Sequence, residues 1–137
     1  MRNFLLSCLL SLALPFQVMA QSLDAGVVVG NESALSIAIV PMPYQGANAA
    51  PEYDVASIIR NNLNRSGQFR SLEASNITEK PTQGSDVRYP VWKALKQDFV
   101  VVGRVLDASN GNYSIEYELI DVAKQQNLLS LKMPARA

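Results

Sequence analysis

The 137 residues contain no histidine, and the only cysteine is Cys8. Without an imidazole, the Ser-His and Cys-His pairs that activate a nucleophile cannot be built, and nitrogen or sulfur metal sites lose their usual ligands. Most hydrolase mechanisms are excluded on that ground. Glycine is sparse: Gly46, Gly67, Gly84 and Gly103 stand alone, each suited to a turn, a cap or a close-packed position, and no phosphate-cradling loop occurs. Neither sign of charge dominates, because 12 basic and 12 acidic residues cancel. With no basic cluster, nucleic acid is not an expected partner. An aspartate cluster of the kind that binds calcium is missing, and no metal or other cofactor is implied. The apolar run from Phe4 to Leu14 is eleven residues, well short of the roughly 20 that cross a bilayer as a helix.

That run, preceded by Arg2, broken by Pro15 and followed by Val18-Met19-Ala20, has the architecture of a secretory signal peptide over residues 1–20, cleaved between Ala20 and Gln21. Leu5-Leu6-Ser7-Cys8 superficially resembles a lipoprotein acylation site. The apolar segment before Cys8 is only a few residues long and continues past it, which suits an ordinary leader better. Cleavage leaves 117 of the 137 residues, 11 of them basic and 12 acidic, and removes the only cysteine. An exported domain of that size, with no disulfide and no stable membrane insertion, must rely on its core.

The segment around which the rest is arranged is PEYDVASIIRNNLNRSGQF, Pro51 to Phe69. Val55, Ile58, Ile59 and Leu63 recur at helical spacing, with Arg60, Asn61, Asn64 and Arg65 on the other side. Pro51 suits a first turn, Glu52 and Asp54 put negative charge near the positive end of the dipole, and Gly67 offers a left-handed stop. Burying the four aliphatic side chains contributes roughly 6 to 12 kcal/mol as an upper bound. Such a stripe needs a sheet to cover.

Strands are readable on both sides of it. Leu35 to Met42, closed by Pro41 and Pro43, reads as a short buried strand, followed by a loop over residues 43–50. Phe69 to Leu72 is a brief strand. Residues 74–86 are polar, contain Pro81 and Gly84, and read as a surface connection with one helical turn near Ser75 to Glu79. Pro90 opens a second, short helix in which Val91, Ala94 and Leu95 face inward, with Trp92 as a core or rim anchor. Phe99 to Leu106, FVVVGRVL, is apolar on both alternating faces and reads as a central strand. Asn110-Gly111 signals a hairpin. Tyr113, Ile115, Tyr117 and Leu119 then alternate with Ser114, Glu116 and Glu118, giving one buried and one wet face. Leu128 to Met133 completes a meander. The order predicts an α/β fold: a small mixed β-sheet with two main helices packed on it.

Glu116 and Glu118 are the only pair that could suggest glycoside chemistry, and strand alternation makes them a solvated face instead. Asn31-Glu32-Ser33, Asn64-Arg65-Ser66, Asn76-Ile77-Thr78 and Asn112-Tyr113-Ser114 match the glycosylation triplet, a weak signal in a polar chain. Gln21 to Glu32 places Leu23, Ala25, Val27 and Val29 on alternate positions, weakened by Gly26 and Gly30. It reads either as a frayed terminus or as a segment that pairs with another protein by strand addition.

The combination SIAIVPM, AAPEYDVASIIRNNLNRSGQF, VWKALKQDFVVVGRV and YSIEYELID, in this order and at these intervals, resembles the N-terminal domain of the TolB family, periplasmic proteins of the Tol-Pal cell-envelope system. The resemblance runs from about Leu35 to Leu131. It implies a periplasmic, non-catalytic protein that acts in outer-membrane integrity and in envelope constriction at cell division. In the family the domain precedes a six-bladed propeller that contacts Pal, so Pal is a partner only where a propeller is present. The resemblance also implies that the segment before the domain, residues 21–34, contacts TolA, through Leu23, Asp24, Ala25, Val27, Val28, Val29 and Gly30. Asp24-Ala25-Gly26 depart from the family's more regular alternating strand. Over 35–137 the domain would lack the family's last helix and the propeller, leaving part of the sheet uncovered and the chain prone to associate. A free-standing periplasmic accessory or scaffold protein of the same fold is the competing reading.

Overall fold

Asp54 and Gly67 delimit the main helix in a computed structural model of the chain, which describes residues 33–137. Helix α1 spans Val55–Ser66. Asp54 is its N-cap, accepting from the Ser57 N–H at 3.2 Å and the Ser57 hydroxyl at 2.7 Å, which satisfies donors that the first turn leaves open. Gly67 ends it at φ 73°, its N–H returned to the Asn64 carbonyl, a left-handed stop that costs glycine nothing. Pro51 and Glu52 therefore lie before the helix, not in its first turn.

Helix α1 connects the first two strands of a five-stranded mixed sheet. The strands are β1 (Leu35–Ile39), β2 (Phe69–Ser71), β3 (Phe99–Asp107), β4 (Tyr113–Asp121) and β5 (Gln126–Ala135). Their spatial order is β2-β1-β3-β4-β5. Strand β1, next to the β2 edge, runs parallel to both β2 and the central strand β3, whereas β3, β4 and β5 form an antiparallel meander. The β3–β4 turn uses the Asn110-Gly111 pair at φ 59° and 72°, where asparagine and glycine tolerate the left-handed region better than other residues. The fold is the mixed sheet with helices that the sequence predicts.

The pleat sends alternate residues of the inner strands to two cores. On one face Ala38, Val40, Val100, Val102, Ile120 and Val122 surround Trp92, which is fully buried. Trp92 belongs to α2, Tyr89–Ala94, the short helix covering that face. Ala94 is exposed and Val91 and Leu95 are half-buried, so the tryptophan, not its neighbours, is the inward anchor. Ile77 and Val87 complete this core. The polar connection thus contributes to the interior through two isolated aliphatics, each directly after a single 3₁₀ turn, at Ala74–Asn76 and Gly84–Asp86.

On the opposite face Ile37, Ile39 and Val101 pack beneath Ala56 of α1, with Ile59 and Leu63 half-buried beside them. Ile58, the fourth member of the predicted stripe, is 47% exposed. Arg60 also departs from the expected solvated side: its guanidinium donates to the Ile39 carbonyl at 3.0 Å and lies against Ser57, closing the open end of β1.

Candidate interaction surface

Among the described residues, the cover over the α1 face is incomplete. An α-helix with its side chains is about 10 Å wide, and neighbouring strands lie about 4.8 Å apart, so one helix covers about two strands of five. Helix α1 takes the β1–β2 side. On the other side β4 presents Ile115, Tyr117 and Leu119 to the same face, paired across to Met133, Leu131 and Leu129 of β5. Leu128, Leu129, Leu131 and Met133 are 41–46% exposed.

Between α1 and β5 runs a groove of about 630 Å³ whose walls carry no charged side chain. Leu35 and Ile58 form its rim with Leu128, Leu129 and Met133. Each of these half-exposed aliphatics would gain roughly 1 kcal/mol on being covered, and a contiguous patch of this kind marks an interaction surface. The alternation of Leu129, Leu131 and Met133 with Ser130 and Lys132 signals the apolar face of β5 in the sequence. What it lacks is any sign that none of the described residues lies over that face.

The opposite face of the meander is polar and ordered, not simply wet. Arg104 donates to Oε2 of Glu116 through Nε at 3.1 Å and Nη2 at 2.9 Å, and Lys132 stands 3.5 Å from Oε1. The Arg104 guanidinium holds the Glu116 carboxyl below the usual carboxylate range, with Lys132 adding to the effect. Glu118 accepts from the Gly84 N–H at 2.6 Å and from Asn127 at 2.7 Å, and Ser114 is buried. Both carboxylates are committed to structural partners, which corrects the expectation of a solvated face. They line a cleft of about 350 Å³ with Arg104, Ser130 and Lys132, where Glu116 is paired with Arg104 and Lys132 and Glu118 is held by neutral donors.

A third cluster joins the loop after β1 to the end of the sheet. Tyr44 donates its hydroxyl to Asp107, whose other oxygen accepts from the Ala47 N–H at 2.7 Å. The Tyr44 hydrogen bond and then the Ala47 amide hold Asp107 below the carboxylate range. Burial and the bond to Asp107 push Tyr44 up. Tyr113 meets Tyr44 and Tyr53 edge to face, at centroid distances of 6.0 and 6.5 Å, and donates to the Ala49 carbonyl. These contacts fix the 43–54 loop against β3 and β4.

Among the described residues no group of acids has the arrangement of a metal site, and no helix is long and apolar enough to cross a membrane. Leu23, Asp24, Ala25, Val27, Val28, Val29 and Gly30, and the cleavage pair Ala20 and Gln21, lie outside the described residues.

A family model described as the TolB amino-terminal domain matches residues 23–128. The Tol-Pal system protein TolB of Xanthomonas euvesicatoria pv. vesicatoria (strain 85-10) is 50% identical over 134 residues, which is 96% of this chain and 30% of that protein. The chain therefore spans about 30% of the length of the curated relatives it matches. A crystal structure of TolB from Acinetobacter baumannii is similar at a TM-score of 0.59 and 30% identity, over 76% of this chain and 24% of that one. The LpoB C-terminal domain from Salmonella enterica reaches a TM-score of 0.60 at 10% identity, over 77% and 84% of the two chains, a likeness of fold alone.

Proposed function

Because the chain belongs to the TolB amino-terminal domain family, we propose that it is a non-catalytic, periplasmic part of the Tol-Pal system that docks TolA and so supports outer-membrane integrity and constriction at division. The observation that carries this reading is the 50% identity to a Tol-Pal system TolB along 96% of the chain.

Docking would proceed by strand addition. Residues 21–34 supply Leu23, Val27 and Val29 on alternate positions, and such a segment can pair its backbone with an open sheet edge of TolA while its side chains enter pockets. Asp24, Ala25, Val28 and Gly30 would supply the intervening backbone. The domain from Leu35 onward would serve as the folded unit to which that segment is joined. Export by a leader cleaved between Ala20 and Gln21 would place it in the periplasm. Contact with Pal is assigned only to a propeller, where one accompanies this domain.

The test is a capture experiment. Removing residues 21–32 is expected to abolish retention by immobilised TolA while far-UV circular dichroism and the urea midpoint stay unchanged. Undiminished retention by the shortened chain would refute docking through this segment.

A further inference from the structure

The hairpin turn between β3 and β4 plays no part in the docking mode just described, and it sets a side-chain amide beside an unhindered backbone nitrogen. Asn110 and Gly111 are both exposed, at φ 59° and 72°. The hydrogen bonds that close the turn run from the Ala108 N–H to the Asn112 carbonyl at 2.9 Å and from the Asn112 N–H to the Ser109 carbonyl at 3.2 Å. Neither engages the Gly111 nitrogen. A Cβ on Gly111 would meet no described atom within 4 Å, so the approach to that nitrogen is open, and glycine carries no side chain of its own to obstruct it. We propose that Asn110-Gly111 is a site of spontaneous covalent modification in the folded domain, at which Asn110 deamidates and the β3–β4 turn is remodelled.

The reaction consumes only water. The Gly111 nitrogen, once it has given its proton to solvent base, attacks Cγ of Asn110. A C–N bond forms, the bond from Cγ to the side-chain nitrogen breaks, and that nitrogen takes up a proton and leaves as ammonia. Water then opens the cyclic imide at one of its two carbonyls. Attack at Cγ gives aspartate; attack at the main-chain carbonyl gives isoaspartate, in which the chain runs through Cγ and is longer by a single carbon. That carbon falls inside the loop that the bond between Ala108 and Asn112 closes. Ring closure requires rotation about the Asn110 Cα–C bond from ψ 34°, a local motion at the tip of the hairpin, beyond the ladder that ends at the Asp107 and Tyr113 pair. Other asparagines lack these conditions. Asn64 lies within α1 and accepts from the N–H and hydroxyl of Ser71, and the Asn127 amide donates to Glu118 and Ser130. The N–H that follows Asn76 is bonded to the Ala74 carbonyl. Asn110 is also the only asparagine followed by glycine.

Peptide mapping by mass spectrometry on the folded chain, held for several weeks in mildly alkaline and in mildly acidic buffer, tests this. The peptide that contains Asn110 is expected to gain about 1 Da as a mixture of aspartate and isoaspartate, faster in the alkaline buffer because the attacking nitrogen must lose a proton. Asn110→Gly, which keeps a turn suited to left-handed backbone, should abolish the gain. Gly111→Asn, tolerant of the same backbone, places a Cβ beside the nucleophile and should slow the gain at Asn110 about 10-fold or more. Gly103→Ala, which weakens the fold away from the turn, should leave the rate unchanged. Acceleration in that variant means that the reaction passes through the unfolded chain, and overturns the proposal. So does a folded chain in which Asn110 stays unmodified, or one in which Asn64, Asn76 and Asn127 react as fast. Should Gly111→Asn fail to fold, the unaltered chain decides: a rate that does not rise with alkalinity excludes attack by the Gly111 nitrogen.

Discussion

Gly103 occupies a position on β3 where a side chain has no room. A Cβ there would lie 2.5 Å from the Glu116 carbonyl oxygen of β4, 3.0 Å from the Tyr117 Cβ and 3.1 Å from the Met42 sulfur. Two of those neighbours belong to the backbone or sit next to it and cannot rotate away, so strands β3 and β4 would have to separate locally. Gly103→Ala is therefore expected to destabilise the fold by about 1–3 kcal/mol, read as a lower urea midpoint at fixed protein concentration. At this scale the sequence is informative in part. An isolated glycine inside a run of valines points to close packing, as found. Arg60 carries no such mark: on a helical wheel it belongs to the wet side, and only the position of the β1 end makes its guanidinium a partner for the Ile39 carbonyl.

The ends of α1 are specified locally and its cover is not. Asp54 is the cap and its carboxylate is held below the usual range, chiefly by the Ser57 hydroxyl and in part by amides of the first turn. Asp54→Ala should cost about 1 kcal/mol, and Asp54→Asn much less, because asparagine caps about as well. Equal losses for the two variants would show that charge at the helix start, not capping geometry, carries the effect. Apolar spacing located α1, the central strand and the meander because each buries a face whose period shows in the chain. It missed Ile77 and Val87, since an aliphatic in a polar loop has no period, and it placed Ala94 inward although Trp92 fills that space. Spacing also says that Leu129, Leu131 and Met133 share a face, while the neighbours of that face depend on how many helices lie over five strands. The TolA-docking residues were read from resemblance and sit outside the described residues.

For the molecule as a whole, the ionic groups fix how stability varies with pH. With no histidine, the usual titrating side chain between pH 5 and 8 is missing, and the urea midpoint should be nearly flat across that range. Asp54, Asp107 and Glu116 all have folded values below their ordinary ones. A depressed carboxylate contributes stability that is fully present above its unfolded value, near 4, and lost as pH falls through its folded value. Tyr44 is raised, so its contribution is present below about 10 and lost as pH climbs beyond. The profile should therefore be a plateau with an acid limb below about pH 4 and a separate basic limb. Replacing Asp107 by asparagine removes one of the groups that takes up a proton on unfolding in acid. The variant should be less stable at pH 7, because the Tyr44 and Ala47 bonds lose their anionic acceptor, and should show a shallower acid limb. An unchanged slope below pH 4 would mean that Asp107 titrates alike in the folded and unfolded chains, and that the loop over 43–54 is held by the three tyrosine rings without help from its charge.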